Sequence, residues 1–411
     1  MKNNKMFKLF ICFMCIMCIT SSCFGASYMY KKTTKTKTDE SSISTVQTVA
    51  TPEFTFQSGA QILIDPYSGT VLYENNADEH LLPASVTKVM TLLLLMEQID
   101  SGALSYDDKI TCSENASNMG GSQMWFKPGE TLSVDECLKA ICVVSANDVT
   151  MAIAEHIGGT ETNFVKMMND KATELRMDNT SFKNCHGIDE EGHYTCARDI
   201  AIMSAELITK HPNILNYSSI WMDTLRNGEF GLSNTNKLIR YYEGATGLKT
   251  GYTSTAGYNL SATATRNGST FLAVIMKAPS SDVRNKEASE LLNYAFSTYE
   301  TKKIYETDYT VDKLTLNKCL DNEAIIKTKK QISMLVNKGG KVETEEIISY
   351  NQELKAPISA GTVVGKIEII NKENGEKIGE SELYVQNDMN KSTFLDYFKK
   401  LFELYIMKPI I

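Results

Sequence analysis

Leu82-Pro83-Ala84-Ser85-Val86-Thr87-Lys88 runs directly into Val89-Met90-Thr91-Leu92-Leu93-Leu94-Leu95-Met96, setting a serine and a lysine three residues apart at the mouth of an apolar helix. At about 100° per residue, positions i and i+3 share a side of a helix, so the Lys88 amine can reach the Ser85 hydroxyl. The pair is a nucleophile beside a base. A helix start also presents backbone N–H groups without intrahelical partners, which suit an oxyanion formed as Ser85 attacks a carbonyl. Ser-x-x-Lys alone arises by chance from ordinary composition, so its meaning depends on companions further along the chain.

Upstream, Gln61-Ile62-Leu63-Ile64-Asp65 and Thr70-Val71-Leu72-Tyr73-Glu74 flank Pro66-Tyr67-Ser68-Gly69, which predicts a hairpin. Before it, 27–55 is rich in Lys, Thr and Ser without apolar periodicity and reads as a flexible linker. The first 26 residues carry Lys2, Lys5 and Lys8, an apolar run from Phe7 to Ile19 and small residues up to Ala26. They read as a secretory signal peptide cleaved after Ala26. Cys12, Cys15 and Cys18 belong to that apolar run rather than to a metal site, and Thr20 makes Cys23 a poor lipidation site.

Downstream, Ser133 and Glu136 form a capping box for a helix over Val134 to Val144, which runs into Ser145-Ala146-Asn147-Asp148 before another helix from Val149. Ser145-x-Asn147 is thus a corner between two helices, where polar side chains can face a cleft. Gly247-Leu248-Lys249-Thr250-Gly251-Tyr252 precedes two strands, Gly257 to Thr265 and Thr270 to Met276, joined by an Arg266-Asn267-Gly268 turn. A helix follows over Asp282 to Tyr299, and 301–390 reads as all-β without a catalytic cluster. In the last segment, 391–411, Phe394, Phe398, Leu401, Phe402 and Tyr405 share one helical face. The charges of Asp396, Lys399, Lys400 and Glu403 forbid a spanning helix and predict one lying in the membrane interface.

At 411 residues the chain has material for two or three units, and its formal charge of −8 excludes a nucleic-acid surface. Six cysteines follow the leader: Cys112, Cys137, Cys142, Cys185, Cys196 and Cys319. A domain of this size does not need disulfides, so buried free thiols are expected, with Cys185 and Cys196 the most plausible pair if one forms. Trp125 and Trp221 read as packing residues.

Ser85-x-x-Lys88, Ser145-x-Asn147 and Lys249-Thr250-Gly251, in that order, resemble the motif set of the penicillin-recognising active-site serine enzymes. Within that superfamily the chain is similar to D-alanyl-D-alanine carboxypeptidases, the low-molecular-mass penicillin-binding proteins. The resemblance implies an α+β transpeptidase-like domain over 56–300, with an antiparallel sheet and helices, then a small all-β domain over 301–390 and the amphipathic anchor. It implies Ser85 as acylated nucleophile, Lys88 as its base, and Ser145 and Asn147 passing protons and holding the substrate amide. Burial beside a second cation, Lys249, would lower the pKa of Lys88 as a base requires.

Lys249, Thr250 and Gly251 would lie on an edge strand against the substrate backbone, with the N–H groups of Ser85 and Tyr252 forming an oxyanion hole. Thr250 and Arg284 are candidates for the substrate carboxylate, although Arg284 reads equally well as a solvated helix residue. His186, His193 and Arg198-Asp199 read as structural neighbours. The implied partners are peptidoglycan stem peptides, β-lactam inhibitors and the outer face of the cytoplasmic membrane, with no metal or organic cofactor. A β-lactamase of the most similar class would need a Glu-x-x-Leu-Asn between the second and third motifs, which is absent. An endopeptidase acting on crosslinks and a non-catalytic wall-binding protein remain as alternatives.

Overall fold

The computed structural model describes residues 33–37, 53–316, 319, 323–340, 342–351, 354–372, 375 and 377–406. The expected signal peptide and its cleavage site lie outside the described residues. The chain divides into two compact units, one within Asp39–Ile304 and Ile332–Glu343, the other within the remainder.

Five antiparallel strands form the sheet of the first unit: β1 (Ala60–Ile64), β2 (Val71–Asn75), β3 (Ala245–Thr253), β4 (Gly257–Arg266) and β5 (Ser269–Ala278). Their order is β2-β1-β5-β4-β3, which leaves β3 at an edge. The predicted hairpins are present. The Asp65 carboxylate accepts the N–H groups of Tyr67 and Ser68 at 2.8 and 2.9 Å and closes the β1–β2 turn. Asn267 and Gly268, at φ 52° and 82°, supply the left-handed pair that a two-residue turn between β4 and β5 requires.

Side chains of neighbouring residues leave a strand on opposite faces, and here both faces are covered. Ile62, Ile64, Leu272, Val274 and Met276 join one apolar cluster with α1 (Lys88–Asp100), α2 (Asn147–Gly158) and α3 (Ala197–Lys210). Leu63, Leu260, Ala262, Phe271, Ala273 and Ile275 join a second with Leu291 and Leu292 of α4 (Ser281–Thr298). The result is a three-layer α+β domain. Every residue of α1 from Lys88 to Met96 is buried, as its unbroken apolar run demands of a helix surrounded by protein. This central helix carries Lys88 into the interior, where the site is built.

In the second unit a six-stranded antiparallel sheet runs in the spatial order Thr33–Lys37, Thr344–Tyr350, Val363–Asn371, Lys377–Val385, Glu323–Thr328, Thr310–Thr315. Its first strand lies inside the stretch read as a flexible linker. Three threonines in five residues favour extended backbone, and pairing with Thr344–Tyr350 supplies hydrogen bonds that composition could not reveal. The second difference concerns the boundary expected at residue 300. Tyr299–Tyr305 pairs with Ile332–Asn337, and Ile332–Glu343 belongs with the first unit.

Phe394–Ile406 is helical, and Phe394, Leu395, Phe398 and Phe402 are exposed on it. Among the described residues no helix is long and apolar enough to cross a membrane. The six cysteines after the leader are buried, and Cys112, Cys137, Cys142, Cys185 and Cys196 are free thiols.

Candidate active site

Ala84–Thr87 forms a 3₁₀ turn leading into α1, with Ala84 in the left-handed region at φ 47°. Ser85 stands on this turn half-buried, and Lys88 follows with no exposure at all. Lys88 Nζ lies 3.0 Å from Ser85 Oγ and donates to Asn147 Oδ1 at 2.6 Å and to the His186 carbonyl at 2.7 Å. The last two are pure acceptors. They take the two hydrogens of a neutral amine and leave its lone pair for the Ser85 hydroxyl.

The second motif is the corner its sequence implied. The helix Val134–Lys139, opened by the Ser133–Glu136 capping box, widens into a π turn over Ala140–Val144 and ends at Ser145, whose φ of 62° reverses the chain. Ser145 Oγ is buried and has no hydrogen-bond partner among the described residues, leaving a free hydroxyl at the cleft. Asn147 opens α2. Its Nδ2 donates to the Gly120 carbonyl at 2.6 Å, so with Lys88 on Oδ1 both ends of the amide expected to hold substrate are engaged within the protein.

The third motif lies on the edge strand β3. A Cβ at Gly251 would stand 2.7 Å from the Pro83 carbonyl oxygen and 3.0 Å from the backbone nitrogens of Ser85 and Val86, so glycine is what lets β3 lie against the serine turn. Lys249 is buried with Nζ donating to the Thr250 carbonyl, and Thr250 Oγ1 is 2.7 Å from Thr235 Oγ1. Tyr252 is exposed and stacks on Tyr258 at 4.3 Å. Arg284 is 4% exposed, which removes the solvated reading. Its guanidinium holds Asn285 Oδ1 at 3.0 and 3.1 Å beside the Tyr258 ring.

A family model described as D-alanyl-D-alanine carboxypeptidase matches residues 45–280. The chain belongs to the D-alanyl-D-alanine carboxypeptidase family. A second model, described as penicillin-binding protein 5, C-terminal domain, matches residues 299–391. D-alanyl-D-alanine carboxypeptidase DacF of Bacillus subtilis is 40% identical over 85% of this chain and 90% of the relative. Among solved structures, penicillin binding protein 5 of Haemophilus influenzae is similar at 30% identity, with a TM-score of 0.64, over 83% of this chain and 99% of that one. Penicillin-binding protein D2 of Listeria monocytogenes, solved with ampicillin bound, is similar at 30% identity and a TM-score of 0.55, over 60% and 99%. The motif order thus belongs to a serine-type carboxypeptidase of the penicillin-binding superfamily.

The electrostatics of the carboxypeptidase cleft follow from two buried amines. Burial, and then the Lys249 charge, hold Lys88 well below the ordinary lysine value. Burial, and then Arg284, bring Lys249 down to about 7.

Two imidazoles brace this arrangement. Burial brings His193 down to about 4. Its Nδ1 accepts the Lys183 N–H, so Nε2 carries the hydrogen and donates to Thr87 Oγ1 at 2.9 Å, while the Thr87 hydroxyl donates to the Ala84 carbonyl. The chain His193–Thr87–Ala84 thereby fixes the serine turn. His186 is brought down to about 3 by burial and the Lys88 charge. Arg198 pairs with Glu74 and Asp78, and Asp199 accepts from Asn179 and Thr180, so both are structural, as expected.

Glu161, Cys185 and His186 bring potential metal ligands within 4.8 Å of one another. The donor set does not suit a cation. His186 Nδ1 accepts the Ile188 N–H, which leaves the hydrogen on Nε2 facing Glu161, and Glu161 Oε1 already accepts the Cys185 N–H. Burial pushes the Cys185 thiol well up, so it stays protonated. The cluster instead fixes the loop whose His186 carbonyl holds Lys88.

Sequence reading missed this loop, together with Gly187, whose φ is 90°. It also missed the wall over Asn147, where the Ser122 carbonyl accepts the Asn147 N–H at 2.7 Å. A glycine beside the buried His186 was the available signal for the first, and Gly120-Gly121 for the second.

Proposed function

We propose that the Ser85 cleft removes the terminal D-alanine from peptidoglycan pentapeptide stems through an acyl-enzyme. Ser85 Oγ attacks the carbonyl carbon of the penultimate D-alanine while its proton passes to neutral Lys88 Nζ. The N–H groups of Ser85 and Tyr252 stabilise the oxyanion. The C–N bond then breaks, the terminal D-alanine leaves with a proton relayed through Ser145, and water hydrolyses the ester to restore Ser85. Asn147 holds Lys88, while Lys249, Thr250 and Arg284 receive the terminal carboxylate. Gly251 keeps β3 close enough for the substrate backbone to pair with it.

The observation that carries this reading is the set of neighbours of Lys88 Nζ: two acceptors for its hydrogens, with the Ser85 hydroxyl beside its lone pair. The test incubates the protein with a pentapeptide ending in D-Ala–D-Ala, measures free D-alanine, and maps a penicillin adduct by peptide mass. Release together with an adduct on Ser85 is expected. An adduct without release would favour the endopeptidase reading, and neither signal would favour a wall-binding protein. The Listeria relative solved with ampicillin supports acylation of Ser85 by β-lactams.

We also infer that the chain is exported by its first 26 residues and held at the outer face of the cytoplasmic membrane by 391–411. Exposed Phe394, Leu395, Phe398 and Phe402, with exposed Lys399 for anionic headgroups, support an interfacial position. The full chain is expected to float with vesicles containing anionic lipid, and a chain ending at 390 to remain at the bottom of the gradient. Equal flotation of both would remove the helix from this role.

A further inference from the structure

Trp125 reads as a packing residue in the sequence, yet it is 70% exposed, between Met124 and Phe126, which are 0% and 2% exposed. Its φ of 58° is left-handed, an uncommon conformation for a bulky residue. The backbone is fixed there from both sides. The buried Asp148 carboxylate accepts the Met124 N–H at 3.1 Å and the Phe126 N–H at 3.0 Å. From the opposite side Arg226 donates to the Met124 carbonyl at 2.9 Å and the Trp125 carbonyl at 3.0 Å, and it pairs with Glu130 at 2.7 Å.

Asp148 is the residue after Asn147, so the support that turns the indole outward is continuous with the second motif. The same loop touches the site three residues earlier, where the Ser122 carbonyl accepts the Asn147 N–H. Three residues span at most about 11 Å, so the Trp125 backbone lies within about that distance of the Ser122 contact with Asn147. What sets Trp125 apart from an ordinary exposed apolar residue is its backbone, fixed in a sparsely populated left-handed conformation that presents the ring to water.

We propose that Trp125 is a specificity-determining residue of the carboxypeptidase, a platform for the part of the stem that does not react. Its ring would cover the aliphatic side chain and peptide planes of the stem residues preceding D-Ala–D-Ala. This rests on the reading that the Ser85 cleft takes the stem, and it deepens that reading by assigning the wall for the remote residues. Contacts to remote residues act on catalysis by holding the reacting bond in place, so they distinguish long stems from short ones.

The experiment compares wild type, Trp125→Ala and Trp125→Phe on a pentapeptide stem and on an N-acylated D-Ala–D-Ala dipeptide. The ratio of kcat/KM, long over short, is expected to fall about tenfold in Trp125→Ala and to recover largely in Trp125→Phe. An unchanged ratio would overturn the proposal, whether both substrates slow together or neither slows. The rate of Ser85 acylation by penicillin, measured on the same variants, separates a failure of this proposal from a failure of the active-site reading.

A second readout uses the chain's content of two tryptophans. With Trp221→Phe and Ser85→Ala combined, Trp125 is the sole indole. Its emission is expected to shift with the pentapeptide and not with the short dipeptide. No shift with the pentapeptide at a concentration that blocks penicillin binding to the wild type would also overturn the proposal.

Discussion

Ser85→Ala and Lys88→Ala are each expected to lower kcat/KM for D-alanine release by about 10⁴-fold or more, with the double variant no worse than the poorer single one. The two side chains act as a unit: Ser85 is a weak nucleophile without a base, and among the described residues the hydroxyl that Lys88 Nζ contacts is that of Ser85. Lys88→Arg gives no rescue, because a guanidinium keeps its proton at any relevant pH.

The wild-type pH profile of kcat/KM should be bell-shaped. Burial and Lys249 lower the pKa of Lys88, so the base form reaches lower pH than in an ordinary lysine and is lost as pH falls through that depressed value. Lys249 is charged below about 7 and neutral above it, so attraction for the terminal carboxylate is lost on the alkaline side. Lys249→Gln should lower the maximum and remove that alkaline limb while keeping the acid one. Lys88→Ala retaining more than a tenth of wild-type kcat/KM would assign the base elsewhere.

Much of the site was legible because its chemistry uses residues that ordinary packing does not call for in these places. A lysine at the head of a leucine-rich helix, a polar corner between two helices, and Lys-Thr-Gly leading into a strand pair all fell where the fold put them. Apolar runs in β1 and β5 likewise marked strands, and their lack of alternation agrees with a sheet covered on both faces. What stayed hidden depends on the backbone of distant segments. The His186 carbonyl holds Lys88 across 98 positions of sequence, and a carbonyl carries no residue signature. In the sequence Arg284 reads equally well as a carboxylate partner and as a solvated helix residue, and only the fold shows it buried beside Asn259 and Tyr258. Trp125 was misplaced for the converse reason, since a large apolar residue is assigned to the core unless the loop that presents it is known.

Gly187→Ala is expected to disable the serine turn although Gly187 bears no chemistry of its own. A Cβ there would lie 1.9 Å from the Ala84 carbonyl oxygen, 2.5 Å from its carbon and 2.8 Å from Thr87 Oγ1, at a φ of 90°. None of these atoms is the free end of a flexible chain, so the backbone of Ala84 or of the 185–187 loop must move. Either shift acts on the pair, because the turn carries Ser85 and the loop carries the carbonyl that holds Lys88. A displacement of about 1 Å is worth roughly 10²-fold in rate, and acylation by penicillin should fall by about that factor. Overpacking and left-handed strain together cost about 3 kcal/mol, which for a domain of this size lowers Tm by about 6–12 °C. Gly192→Ala is the matched control. Its φ is 81°, but its Cβ would meet only the end of the Lys183 side chain, so it should lose some stability and acylate within about twofold of wild type. If Gly187→Ala acylated as fast as Gly192→Ala, contact between this loop and the serine turn would not be what holds Ser85 in place.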